Sequence, residues 1–352
     1  MPDRLHTPGT YLAEMDVQGQ WPVLKQLAGT LMDPANSPGH LFQACEALYQ
    51  LFLETADVDL EDPQLRRDAQ TPGGKALAPI WAALCIKDFQ RTCGLLRGLL
   101  AAIQRAGERF PNTTIHVLYA GCGPFASLAV PLIPLLEGQP VAFTLLDVSP
   151  ISLGYVEKTI ANLDMAPWIL EIVLADATQY QVDPTMPVHV VVTEMMQTGL
   201  QHEPQVAAMW NLVPQLLAGG FIIPESITVQ AGLLHPGRNM DRMLNPEGPD
   251  GEVYQLLEPA FEWSPATISA KNDGLIFPEI EVEIPVDRDP DFKQLALFTR
   301  IRIFEEICLE AWDCALTLPL PLMRLEPDES RPKIGLRYRV GTDPGFQWRV
   351  IN

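Results

Sequence analysis

The chain has 352 residues, 47% apolar and 19% charged, enough for a full hydrophobic core and unlike a disordered protein. Its net charge of −20, from 24 basic against 44 acidic residues, argues against duplex nucleic acid, whose binding rests on cationic contacts to phosphates. The same balance suits a cationic small substrate or a basic peptide, and it also suits plain solubility.

No apolar run reaches the roughly 20 residues of a membrane helix, and the opening MPDRLHTPGTYLAEM lacks the charged-then-apolar pattern of a signal peptide. A soluble, cytoplasmic protein of one large or two medium domains is expected. The six cysteines, at 45, 85, 93, 122, 308 and 314, make no CxxC pair, and the six histidines are scattered. Reduced thiols that mostly fill the core, and no metal centre, are the expectation. The 33 prolines are a high count, as edge strands and turns would require.

In chain order, residues 1 to 110 read as a helical N-terminal region. From Leu77 to Ile103 the apolar residues Trp81, Leu84, Ile86, Phe89, Leu95, Leu96 and Leu99 recur at helical spacing, behind a Gly/Pro hinge, TPGGKA. From 111 to 224 strand and helix alternate. IHVLYAGCG, VAFTLLDVSP, LEIVLADATQY and VHVVVTEMM read as strands one to four. FASLAVPLIPLL, ISLGYVEKTIANLDM (capped by Ser149 or Ser152) and VAAMWNLVPQLLAGG (closed by Gly219 and Gly220) read as the helices between and after them. Strands that are near-continuous apolar runs belong to a parallel sheet covered on both faces. From 225 to 352 the period becomes two: Ile276, Ile280, Val282 and Ile284 alternate with Glu279, Glu281 and Glu283, and QLALFTRIRIF does the same. An antiparallel sheet or barrel without helices is expected there.

Three features carry chemistry in the α/β region. Gly121 and Gly123 follow the first strand and let a ligand approach the backbone closely. Asp147 ends the second strand, where a carboxylate can accept both hydroxyls of a ribose. Asp176 and Ala177 follow the third, where they can lie against an adenine. Each alone would be a tight turn or a helix cap; in this order they point to a nucleoside site. NAD and S-adenosylmethionine both fit, since Ala126 at the sixth position satisfies the G/A form of the dinucleotide pattern. After the fourth strand, TEMMQTGLQHEPQ presents Glu194 and Glu203. Two carboxylates there could bind a cation, work as acid and base, or cap helices. Glu203, directly before a proline-started helix, would equally stabilise a helix N-terminus.

Together, AGCGPFASLA, LLDVSP, LADATQY and VVVTEMM resemble the motifs of class I S-adenosylmethionine-dependent methyltransferases, over roughly residues 115 to 224. TEMMQTGLQHEPQ resembles the double-glutamate loop of the protein arginine methyltransferases. GCGPFA is similar to the Gly-x-Gly-Pro form of their symmetric-dimethylating branch, and LLAGGFIIPESITVQAGLL to the bridge into their C-terminal barrel. The resemblance implies a Rossmann-like sheet with a helical N-terminal region and a C-terminal antiparallel, barrel-like domain. It implies S-adenosylmethionine as cofactor and N-methyl transfer to a guanidino group, on free arginine or a relative, or on a protein arginine. Carried over by position, Ala120, Gly121, Gly123, Asp147, Asp176, Ala177 and Glu194 would contact the cofactor. Glu194 and Glu203 would hold the acceptor, flanked by Met196 and His202, the latter beside Glu203 as a proton acceptor. A homodimer is common among such enzymes.

The pattern departs from that family at Met195-Met196-Gln197, where Met-Gly is usual. It departs also at Phe346-Gln347-Trp348, the echo of a late Thr-His-Trp or Phe-Ser-Trp loop that would bring Trp348 to the acceptor, and at DFQRT, where Phe89 stands for a pair of tyrosines. The substrate therefore stays open: another small-molecule nucleophile, conversion of S-adenosylmethionine itself by intramolecular cyclisation, or a non-catalytic scaffold of the same fold.

Overall fold

The computed structural model of the chain describes residues 19–245, 248–270, 275–326 and 333–351. Residues 1–18, the first part of the expected helical region, lie outside them. Helices α1 (Gln20–Met32) and α2 (Pro38–Thr55) pack together through Leu24, Leu27, Leu31, Leu48 and Phe52, all fully buried. Ser37 caps α2 by accepting the His40 N–H, with Pro38 in the first turn, where its missing N–H costs nothing.

The TPGGKA stretch is not an open hinge. Strands β1 (Ala69–Thr71) and β2 (Gly74–Ala76) make a tight antiparallel hairpin, in which the Thr71 hydroxyl donates to the Gly74 carbonyl and accepts the Gly73 N–H. The long helical period from Leu77 is split into α3 (Pro79–Leu84) and α4 (Phe89–Arg109) by a 3-10 turn at Cys85–Lys87. Asp88 restarts the helix as its cap, leaving helical geometry so that its carboxylate can accept the Arg91 N–H.

The α/β part contains β3 (Ile115–Ala120), β4 (Val141–Asp147), α5 (Pro150–Asn162), β5 (Ile169–Leu174), β6 (Val188–Thr193), α6 (Gln205–Leu212) and β7 (Leu216–Ile223). The five strands are parallel, in the order β5-β4-β3-β6-β7. Every residue of β3, β4 and β6 is buried, which explains their unbroken apolar character. Ser149 caps α5, as the sequence allows.

One expected helix is absent and another is shorter than expected. FASLAVPLIPLL runs as successive turns with one 3-10 segment, Ile133–Leu135. Ala126 takes a left-handed φ of 43°, and Pro131 and Pro134 have no N–H for a helical ladder. The helix expected to close at Gly219-Gly220 instead ends at Leu212, ahead of Pro214. LLAGGFII is the fifth strand, β7, kinked by a register shift beside Gly219 and Gly220.

The C-terminal part contains β8 (Ser226–Leu234), α7 (Pro236–Leu244), β9 (Tyr254–Trp263), α8 (Pro265–Ala270), β10 (Ile280–Glu283), β11 (Gln294–Phe304), β12 (Ile307–Leu309), β13 (Leu320–Arg324), β14 (Lys333–Arg339) and β15 (Gly345–Ile351). All pairings are antiparallel, in one sheet ordered β12-β11-β8-β9 with β13 also on β11, and another ordered β10-β14-β15. The expected barrel-like domain is present, with two short helices that the period-two pattern did not announce. Its first alternating run is shorter than expected: Val282 and Ile284 are buried, but Ile276 is 74% exposed and precedes the strand.

Helix α4 belongs to both halves. It lies on β3, β6 and β7 with one face and on β11 and β12 with another. Gly94 and Gly98 make the second contact possible, because a Cβ there would meet Ile303 at 3.0 and 2.3 Å.

Candidate active site

The strand order reverses between β3 and β6, and in open parallel sheets ligands bind at that point, beyond the carboxyl ends. Register fixes what is presented there. Ala120 pairs with Leu146 on one side and Thr193 on the other, so Gly121, Asp147 and Glu194 leave the sheet at one level. Asp147 pairs with Leu174, which places Ala175, Asp176 and Ala177 just beyond β5.

Gly121, Asp147, Asp176, Ala177 and Glu194 line one cavity together with Gly123, Glu203, Tyr119, Cys122, Met195, Arg91 and Lys75. Gly121 and Gly123 hold left-handed φ of 74° and 62°. A Cβ on Gly121 would lie 2.4 Å from Met195 Cγ, so only glycine leaves the loop open. Asp147 Oδ2 accepts the Gly123 N–H and Oδ1 the Ser149 N–H, both at 2.8 Å. Burial pushes its carboxyl above the usual aspartate range, and these backbone donors offset that only in part. Asp176 Oδ1 accepts from both the N–H and the hydroxyl of Thr178, which shapes the turn holding Ala177 at the wall.

The segment between the two glutamates is clamped from both domains. Gln205, fully buried at the start of α6, accepts the Met195 N–H at 2.8 Å and donates to the Thr193 carbonyl at 3.1 Å. From the barrel side, Thr299 accepts the Gly199 N–H, the Leu318 carbonyl accepts the Thr198 hydroxyl, and Tyr338 donates to the Leu200 carbonyl. Left-handed backbone at Gly199, Leu200 and His202 turns the segment back toward the cavity. Glu203 is 5% exposed and lines the cavity, while Pro204 holds the cap position of α6. Burial raises the Glu203 carboxyl above the ordinary glutamate value, against the lowering effects of the Gln197 side chain, Arg91 and Lys75.

Arg91, on the first turns of α4, forms an ion pair with Glu194 Oε2 inside the cavity. Burial opposes its charge, yet Cys85, Asp88 and Glu203 outweigh that and raise its pKa. Oε1 of Glu194 and Oε1 of Glu203 are buried without a hydrogen-bond partner among the described residues. Orphaned buried carboxylate oxygens are costly, and a cationic or hydrogen-donating ligand would satisfy both.

The structure thus brings Gly121, Gly123, Asp147, Asp176, Ala177, Glu194 and Glu203 to one cavity. Ala120 is fully buried in β3 and Met196 is buried in the core; neither is in the lining, and Met195 faces the cavity in place of Met196. His202 turns its ring outward to Asp343, at 2.7 Å, so its carbonyl rather than its imidazole serves the site. Trp348 lies on β15, 42% exposed, and is not part of the lining either. Arg91, Gln205 and Lys75 were not expected. Asp88-Phe89-Gln90-Arg91, a helix cap followed by a cation on the first turn, was the available signal for Arg91. Nothing local marks the other two.

No family model matches the chain, and no curated protein does so at a significant level. Among solved structures, the Trypanosoma brucei PRMT1 enzyme–prozyme heterotetrameric complex with AdoHcy superimposes with a TM-score of 0.50 at 13% identity, over 75% of this chain and 90% of that one. A PRMT6 crystal structure follows at 0.49 and 10% identity, over 72% of this chain and 95% of that one. PRMT6–SAH follows at 0.44 and 11%, over 73% and 96%. The fold is that of the arginine methyltransferases: a Rossmann-like methyltransferase sheet joined to a barrel-like antiparallel domain.

Proposed function

We propose that the chain transfers the methyl group of S-adenosylmethionine to a guanidino nitrogen. The observation that carries this is the single cavity in which a glycine loop, Asp147 and Asp176 meet two buried glutamates, each with an orphaned oxygen. AdoHcy, bound in the trypanosomal PRMT1 complex, is the product left by S-adenosylmethionine after methyl transfer, which supports the cofactor assignment.

The residues fit that cofactor. Asp147 would hold the ribose hydroxyls, Asp176 and Ala177 the adenine, and the open backbone at Gly121 and Gly123 would admit the thioether region. Arg91 supplies a buried cation for the carboxylate of the amino-acid tail. When bound, the cofactor supplies an activated methyl on a sulfonium. What remains for the protein is placement. Glu194 Oε1 and Glu203 hold the acceptor nitrogen in line and keep water out, and their charges localise its lone pair. Glu203, its carboxyl raised by burial, is the group suited to take the proton that nitrogen sheds.

The Arg91 pair makes Glu203 the cleaner test. Changing Glu194 to Gln would also release Arg91. Glu203→Gln is expected to lower methyl transfer by about 100-fold or more, in the range of general-base loss, and to leave AdoHcy affinity within about twofold in calorimetry. Loss of both would remove the assigned role. Methyl-labelled S-adenosylmethionine offered with arginine, an arginine-rich peptide or buffer alone reads the acceptor.

A second reading follows from the same pair. With Glu194 Oε2 already given to Arg91, one oxygen on each glutamate serves the acceptor, which suits a primary amine as well as a guanidinium. Label on an amine and not on any guanidino compound would select it. We propose a homodimer as the working assembly, tested by sedimentation. No helix among the described residues is long and apolar enough to cross a membrane.

A further inference from the structure

Building on the guanidino-methyltransferase reading, we propose that the acceptor is a free, carboxylate-bearing guanidino molecule and not an arginine within a polypeptide, and that Lys75 receives its carboxylate. The hairpin β1–β2 is strapped over Glu203. The Lys75 N–H donates to the His202 carbonyl at 2.7 Å, and Gln70 Nε2 donates to the Thr342 carbonyl at 2.6 Å. At Gly74 (φ +148°) a Cβ would lie 2.8 Å from the His202 oxygen and 2.9 Å from the Pro204 nitrogen. The outside of the glutamate loop is therefore covered by this chain's own backbone. A polypeptide delivering an arginine along that side would have to lift the hairpin, whereas a free molecule brings no flanking peptide units.

A molecule enclosed under the hairpin must have its other end satisfied by the cavity wall. Lys75, on β2, lines the same cavity as Glu194 and Glu203. Its ammonium pairs with Asp68 at 3.2 Å, both side chains partly exposed, so it can turn to a ligand carboxylate at little cost. Arg91, the other cation of that lining, pairs with Glu194 and is already assigned to the carboxylate of the cofactor's amino-acid tail. The one cavity thus offers carboxylates for a cation and, from the hairpin, an ammonium for an anion, which is the charge pattern of a guanidino acid.

The test uses the full chain. L-arginine, guanidinoacetate, agmatine (arginine without its carboxylate) and a capped arginine peptide are titrated calorimetrically in the presence of AdoHcy, and each is offered as methyl acceptor. We expect a carboxylated compound to bind and be methylated at least about tenfold better than agmatine or the peptide, a charge-assisted pair's worth of discrimination. Lys75→Met should erase that preference, Lys75→Arg should restore most of it, and AdoHcy affinity should stay unchanged in both. Equal or better use of the peptide or of agmatine overturns the proposal and leaves the guanidino reading standing. So does a preference that survives Lys75→Met, or a loss of AdoHcy binding in that variant, which would place Lys75 on the cofactor. Label on no guanidino compound removes the parent reading, and this proposal with it.

Discussion

Gly121 and Gly123 share left-handed backbone but differ in what surrounds them. At either one an alanine bears the left-handed strain of about 1–2 kcal/mol. At Gly121 the new methyl also collides with Met195, at 2.4 Å, whereas at Gly123 it meets only Ala82 Cβ, at 3.6 Å. Gly121→Ala is therefore expected to destabilise the chain by about 1–3 kcal/mol more than Gly123→Ala, read by denaturant unfolding. Shortening Met195 to Ala in the Gly121→Ala background should recover part of the difference, and no recovery would show that the collision is not its source. The glycines themselves were legible from GCG after an apolar strand. Their unequal cost was not, because Met195 arrives from the neighbouring strand. The two glutamates were legible in the same way, from their place after VHVVVT. Glu194's own cation was not, since Arg91 lies on a helix more than a hundred residues earlier.

At the level of elements, β3 and β6 carry a second feature, at the end of the sheet opposite the cavity. The His116 N–H donates to His189 Nδ1 at 3.1 Å, and His116 Nε2 meets the Thr144 hydroxyl at 2.8 Å. Burial lowers the pKa of both rings, joined for His189 by the charge of His116, and only partly offset at His116 by carbonyls 186 and 187 and by Glu171. The sign follows directly. The unfolded chain takes up these protons near the ordinary value of 6.5, before the folded one does, so the stability they allow is present above pH 6.5 and is lost as pH falls below it. Denaturant midpoints should decline between pH 7 and 5.5, above the range where most carboxylates titrate. His189→Asn, which keeps an acceptor for the His116 N–H, should flatten that decline; an unchanged slope would assign it elsewhere. Strand existence and order of appearance came from apolar runs. The two misread helices failed for local reasons: Ala126 and the prolines in one, and in the other a helix that Pro214 ends before a strand of similar composition.

For the whole molecule, α4 is the element that makes two halves one body, with Gly94 and Gly98 admitting Ile303 of β11. Gly98→Ala sets a methyl 2.3 Å from Ile303 Cγ2, and such overpacking costs about 1–3 kcal/mol. Because α4 also carries Arg91, the same change should weaken AdoHcy binding although residue 98 is not in the cavity lining. A double-mutant cycle with Ile303→Ala should show positive coupling, and strict additivity would mean the two do not meet. The sequence by itself determined the class of fold, the position of the nucleotide-type loop and the two carboxylates, because periodicity, glycine and strand-end position act over a few neighbouring residues. Only the tertiary structure decided which groups face those carboxylates. Arg91, Gln205, Lys75 and the hairpin over Glu203 come from distant stretches, and their meeting depends on strand order, register and helix docking, which no local pattern encodes.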